Sequence, residues 1–384
     1  MLNHSKTIRG AHRFVVLDGI RGLAAIAVMF YHFFQKNTFV IAGTNCDLLS
    51  NSVLAVDFFF MLSGFVIAYS YGNKLFSSMS AKEYLLKRFI RLYPMFFIGV
   101  LFGALVFLFI VWSDLSTYSY RNVFGSLGYN SLFLPFFNNS AVHHLGYFVS
   151  LKGAIFPGNP PAWSLFFEII ASIAFVFLCK LNRNTLLNLT VIFYIIFLLH
   201  CLYLSYTDHF LGVDIGLGWS MKTFTGGFPR VFFGFSLGIL LFKISNDAFF
   251  CKRHFDFIDR FSNNPLLLYL LFLAVIIFPL QMNGMYPTIV LSTIAPCLVL
   301  IGSKTRCTSV FQQNLSLLLG WLSYPVYCLH YPVGRAMLLI GNRLHLPDFL
   351  SALASVALTL VVSISLVKFI EEPTRRLLAR KLLN

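Results

Sequence analysis

Apolar residues in this chain gather into long unbroken runs, at about residues 15–36, 50–71, 89–112, 163–180, 186–206, 225–243, 264–281, 286–303, 314–341 and 348–370. Each approaches the roughly 20 helical residues needed to cross ~30 Å of hydrocarbon. A backbone in lipid must satisfy its own hydrogen bonds, which leaves helices or a closed barrel. Runs without period-two alternation exclude the barrel. The pattern predicts an all-α membrane protein, a polytopic bundle of about ten transmembrane helices. The connections are short except for an outer segment, 113–162, which contains Trp112 at its edge, Tyr118, Tyr120, His143 and His144 and closes with the stiff stretch PGNPPAW. A loop of that length is either a lid or binding surface or simply packed or disordered chain. No repeat or low-complexity linker divides residues 1–384, so the sequence reads as a single membrane domain.

Composition sharpens this picture. Hydrophobic residues make up 58% of the chain and charged residues 11%, and 45 residues are Phe, more apolar surface than a soluble core requires. With both termini in the cytoplasm, most of the 29 Lys and Arg fall in inner segments, as the positive-inside rule asks. The net charge of +15 then reflects topology and attraction to anionic membrane lipid rather than binding of nucleic acid. The first run follows Lys6, Arg9 and Arg13 as a signal peptide would, but it is too long and lacks a small-residue cleavage site, so it reads as a retained helix. The seven cysteines are scattered without a Cys-x-x-Cys pair, and only Cys46 falls in an outer loop. Neither a disulfide framework nor a metal site is expected.

Against this background the polar residues inside the runs stand out, because ionisable groups in lipid are functional candidates by default. Arg21 and His32 share the first helix, eleven positions apart. That is close to three whole turns, so both lie on one face, about 16 Å apart along the axis. Arg88 and Arg91, in the string KRFIRLYP, share a helix face at the cytoplasmic mouth of the third run. Two functions fit that spacing: bidentate gripping of phosphate groups, or a positive-inside anchor.

Six strings occur in an order that resembles the acyltransferase 3 family of integral membrane acyltransferases: LDGIRGLAAIAVMFYHF, VDFFFMLSGFVIAYSY, KRFIRLYP, PAWSLFFE, LSYPVYCLHYP and EEPTRR. The resemblance extends from Leu17 to Arg376 and combines an Arg-x10-His element with an Arg-x-x-Arg element. It implies a ten-helix bundle that moves an acyl group, usually acetyl, from cytoplasmic acyl coenzyme A to a hydroxyl of a glycan or lipid-linked sugar. The resemblance is to the stand-alone form, in which no soluble esterase-like domain is expected after the last helix. Residue by residue, the resemblance gives His32 the catalytic role, Arg21 a supporting role, and Arg88 and Arg91 contact with the coenzyme A donor, acetyl-CoA in the usual case. It places the protein in a bacterial inner membrane, with glycans of the O-antigen, capsule or exopolysaccharide type as acceptors.

An imidazole can take a proton from an acceptor hydroxyl near neutral pH, or accept the acyl group itself; the sequence fits both roles. Glu168, one turn after Ser164, sits at a depth comparable with His32 and is a candidate to orient it, while Asp57 and His330 are candidates to face the same interior. Asp18 is a candidate partner for Arg21 or Arg13. Arg230 either binds an anionic acceptor or snorkels to the interface. Ser63 and Gly64 point to close helix packing, and Glu371, Glu372, Arg375 and Arg376 either clamp the donor or end the last helix. A donor made in the cytoplasm must then reach His32 through the bundle, its phosphates held by Arg88 and Arg91 while the pantetheine arm threads past Arg21. The rival class is a proton-coupled transporter, which uses the same buried charges but has no particular need for the inner-mouth arginine pair. The residues name no particular sugar and no oligomeric state.

Overall fold

The structure, a computed structural model, describes residues 14–34, 38–41, 44–47, 49–143, 148, 150–208, 213, 215–247, 264–278 and 285–383. Lys6, Arg9, Arg13 and His144 lie outside the described residues. Helices dominate: α1 (Val15–Phe34), α2 (Val53–Ser77), α3 (Ala81–Trp112), α4 (Tyr120–Ser131), α5 (Trp163–Leu178), α6 (Arg183–Thr207) and α7 (Phe224–Ser245). They continue with α8 (Pro265–Ile277), α9 (Met285–Lys304), α10 (Val310–Arg343) and α11 (Asp348–Leu382). Among the described residues, eight helices are long and apolar enough to cross a membrane. Two further apolar runs of the sequence become α8, of 13 residues, and α10, of 34 residues with Pro325 and Pro332 inside it. The chain is an all-α polytopic membrane protein.

Helix ends follow capping chemistry. Ser80 accepts from the Glu83 amide at the start of α3, and Ser309 and Gln312 form a reciprocal capping box at the start of α10. Proline is tolerated inside α3, α7 and α10 because neighbouring helices support the interrupted backbone.

Two helix pairs form the heart of the bundle. α1 runs parallel to α10, and α2 packs along α7. Lipid offers no hydrophobic drive for helices to associate, so close backbone approach must supply the contact energy. A Cβ at Gly22 would collide with the Leu319 carbonyl of α10, and one at Gly64 with the Phe235 carbonyl of α7. By contrast, α6 turns Val191, Ile195, Leu199 and Leu202 outward, as a lipid-facing flank does.

The described residues of the long segment 113–162 are folded chain. It contains α4 and a two-stranded antiparallel ribbon, Ala141–Val142 with Leu151–Lys152, and then drives Ile155 and Phe156 into the core. Asn130 Nδ2 donates to the Ile155 carbonyl at 3.0 Å, and Asn159 Nδ2 to the Cys328 carbonyl of α10 at 2.8 Å. The Tyr118 phenol is buried against α3, where burial pushes its pKa up to about 12.

Candidate active site

A cavity of about 750 Å³ opens among α1, α2, α3, α5, α10 and α11. Its rim, on the face where α1 and α3 begin, carries Lys87, Trp321, Glu372 and Arg375; its far end is closed by Phe59, Ser164 and Tyr327. The volume is in the range of small-molecule and cofactor sites.

The cavity wall is dense in charge, and most of that charge is paired. Arg21 donates from Nε to Ser323 Oγ at 3.0 Å and from Nη2 to the Gly320 carbonyl at 3.2 Å, with Asp18 at 3.1 Å. Arg88 is buried, which an interfacial anchor is not. Its Nη2 donates to Glu168 Oε1 at 2.6 Å, and the same oxygen accepts from Ser63 Oγ at 2.9 Å. Arg375 pairs with Glu371 at 3.4 Å and Lys87 with Glu83 at 2.7 Å. Arg91 also lines the cavity, yet no hydrogen bond or ion pair joins it to any described residue. A half-buried guanidinium with five donors and no carboxylate is suited to an anion from outside the chain.

His32 lies at the other end of α1, beyond the closed end of the cavity. Its ring stacks on that of His330, with centroids 5.3 Å apart and planes 24° from parallel, and meets the Tyr331 ring edge-on at 5.0 Å. Arg21 and His32 therefore both meet α10, Arg21 at Ser323 and His32 at His330. The seven residues from Ser323 to His330 correspond to about 10 Å along α10. Tyr327, between them, bonds Ser164 Oγ at 2.7 Å and forms the partition between cavity and imidazoles.

Of the residues singled out in the sequence, the geometry brings Arg21, Arg88, Arg91 and Glu168 to one cavity, with His32 beyond it. Glu168 meets Arg88 and Ser63 rather than His32, because it lies deeper along α5 than Ser164, on the side facing α3. Asp57 belongs to another cluster. It pairs bidentately with the buried Arg230, Nε to Oδ1 and Nη2 to Oδ2, both at 2.8 Å. Arg230 also donates to the Leu217 carbonyl at 3.0 Å and stands 5.3 Å over the Trp163 ring.

Ser323, Tyr327, Tyr331 and Arg335 escaped the sequence reading. The first three fall at helical spacings of four and eight on the α10 face that meets α1, so the string LSYPVYCLHYP carried a signal. Arg335 donates to the Pro157 carbonyl at 2.9 Å and lies over the Tyr331 ring at 4.6 Å, joining the long segment to α10 beside His32. Its position in an apolar run was the available sign.

Fold and site define a class: a multi-pass membrane protein with a cation-lined cavity leading toward an imidazole pair. The acyltransferase 3 family model, described as an acyltransferase domain, matches residues 14–368, and the chain belongs to that family. It is a membrane acyltransferase. It is also similar to "Protein 2 in picA locus" of Rhizobium radiobacter, at 35% identity over 172 residues, covering 42% of this chain and 79% of that protein. No solved structure matches the chain.

Proposed function

We propose that the protein transfers an acyl group, acetyl in the first instance, from acyl coenzyme A to a hydroxyl of a surface or lipid-linked glycan. The observation that carries this reading is the cavity: arginines at its mouth and middle, a lining that reaches Ser164 and Tyr327, and imidazoles one helical turn beyond. In this reading both termini and the cavity mouth face the cytoplasm of a bacterial inner membrane, where acyl coenzyme A is made. Arg91 receives the donor's phosphates, with Arg21 and Arg375 adding positive potential. Arg88, fixed by Glu168 and Ser172 Oγ, holds the wall in shape and lends its remaining donors to the donor's anionic end. The slender pantetheine arm then extends along α10 past Arg21 and displaces the Tyr327 ring to bring the thioester to His32.

His32 activates the transfer, as proton acceptor or as acyl carrier. Asp57 keeps Arg230 neutralised and so holds α2 against α7. The acceptor approaches from the opposite face, over segment 113–162.

The test supplies purified protein with radiolabelled acetyl coenzyme A and a surface-glycan extract. Label is expected in the glycan in an alkali-labile form, as an O-ester. Absence of label together with absence of thiol release would overturn the reading.

A further inference from the structure

His330 is a fully buried imidazole to which the acyl-transfer reading assigns no role. Its Nδ1 lies 3.0 Å from the Val326 carbonyl and 2.9 Å from the Tyr327 carbonyl. Carbonyl oxygens only accept, so Nδ1 carries the proton. The neutral ring must then present a bare lone pair at Nε2. That atom is buried and has no hydrogen-bond partner among the described residues. A buried acceptor without a donor is unfavourable and rare in folded proteins. It is also what a general base requires: a lone pair of fixed tautomer, held by its other nitrogen and kept from water.

The neighbours suit that use. His330 stacks on His32, so the two rings are direct neighbours. It follows Tyr327, which closes the cavity, by less than one turn, placing it where an extended donor arm would end.

We infer that His330 Nε2 accepts the proton of the acceptor hydroxyl during acyl transfer, leaving His32 to engage the acyl group. As the hydroxyl oxygen bonds to the acyl carbon, its O–H electrons form the new C–O bond and the proton moves to His330 Nε2. The bond from the acyl carbon to its leaving atom breaks: the coenzyme A sulfur in direct transfer, or the His32 ring nitrogen after acyl loading. The leaving atom takes that electron pair, and the proton returns from His330 to it, so His330 ends each cycle neutral. This inference rests on the acyl-transfer reading.

His330→Asn tests it, because the Asn amide keeps an N–H near the Val326 and Tyr327 carbonyls while removing the Nε2 lone pair. His330→Gln is the second variant; its amide can receive a hydrogen bond near Nε2 but takes no proton. Conclusions are drawn from whichever variant elutes as a single species and binds acetyl coenzyme A with wild-type affinity. Transfer of acetyl to the hydroxyls of a surface-glycan extract is expected to fall at least a hundredfold, the scale of general-base catalysis. Transfer to hydroxylamine, a nucleophile with no need of a base, is expected to stay within threefold of wild type. Glycan acetylation within threefold of wild type in either variant would overturn the inference. Loss of glycan and hydroxylamine transfer together would also overturn it, because His330 would then serve the acyl-engaging step. A wild-type protein that releases no thiol would instead overturn the acyl-transfer reading itself.

Discussion

Replacing Asp57 by Ala isolates the role of the buried Asp57–Arg230 pair. The Arg230 and Asp57 side chains are 1% and 5% exposed, and two parallel 2.8 Å hydrogen bonds join them. Asp57→Ala removes both of those hydrogen bonds, while Arg230 keeps the Leu217 and Val53 carbonyls and the Trp163 ring. Removing one partner of a buried ion pair costs about 3–5 kcal/mol, which lowers the folded-to-unfolded ratio roughly a hundredfold to a few thousandfold. The cost falls on the α2–α7 contact, where Gly64 and Gly238 already bring the two backbones together. Substituting both residues, as Asp57→Leu with Arg230→Met, removes both charges of the pair and is expected to cost less than Asp57→Ala alone. The assay is unfolding of purified protein in mixed detergent micelles by titrated SDS, followed by tryptophan fluorescence. The protein that remains folded should keep its turnover. Equal stability of Asp57→Ala and wild type would refute the reasoning. So would a folded Asp57→Ala protein without turnover, which would return Asp57 to the chemistry.

Three further outcomes follow from the packing. Gly64→Val is expected to abolish recovery of folded protein, because its Cβ would overlap the Phe235 carbonyl, whereas Gly72→Ala, with open space around it, should be neutral or stabilising by up to about 1 kcal/mol in the same unfolding assay. Tyr118→Phe is expected to leave stability unchanged or raise it, as measured by thermal denaturation, since the buried Tyr118 hydroxyl has no hydrogen-bond partner among the described residues. Arg91→Gln and Arg88→Gln should differ. The first should weaken acetyl coenzyme A binding roughly tenfold or more at unchanged stability, and the second should reduce stability by leaving Glu168 short of its cation, both read by calorimetry and SDS titration.

Much of the architecture was legible because membrane helices announce themselves by length and apolarity. The positions of all ten apolar runs coincide with helices, including the short α8 and the proline-broken α10. Segment 113–162 was ambiguous for a physical reason: its order comes from distant contacts, such as Asn159 with Cys328 and Arg335 with Pro157, which no local pattern encodes. The site divides in the same way. Helical spacing put Arg21 and His32 on one face of α1, and Arg88 and Arg91 on one face of α3. It could not tell which carboxylate meets which cation, since depth along a helix does not fix rotation about the bundle. Glu168 was matched in depth with His32 but turns toward Arg88, and Asp57 turns toward Arg230. The tautomer of His330 was beyond reach of the sequence, because the backbone carbonyls of its own helix determine it.

The most direct test of the central claim, that donor binding and acyl activation occupy separate ends of one passage, compares wild type with His32→Ala. Acetyl coenzyme A affinity is measured by calorimetry and thiol release with a glycan extract by a colorimetric assay. Unchanged affinity with turnover reduced at least a hundredfold is the predicted result. Full turnover by His32→Ala, or no binding of acetyl coenzyme A by wild type, would contradict it.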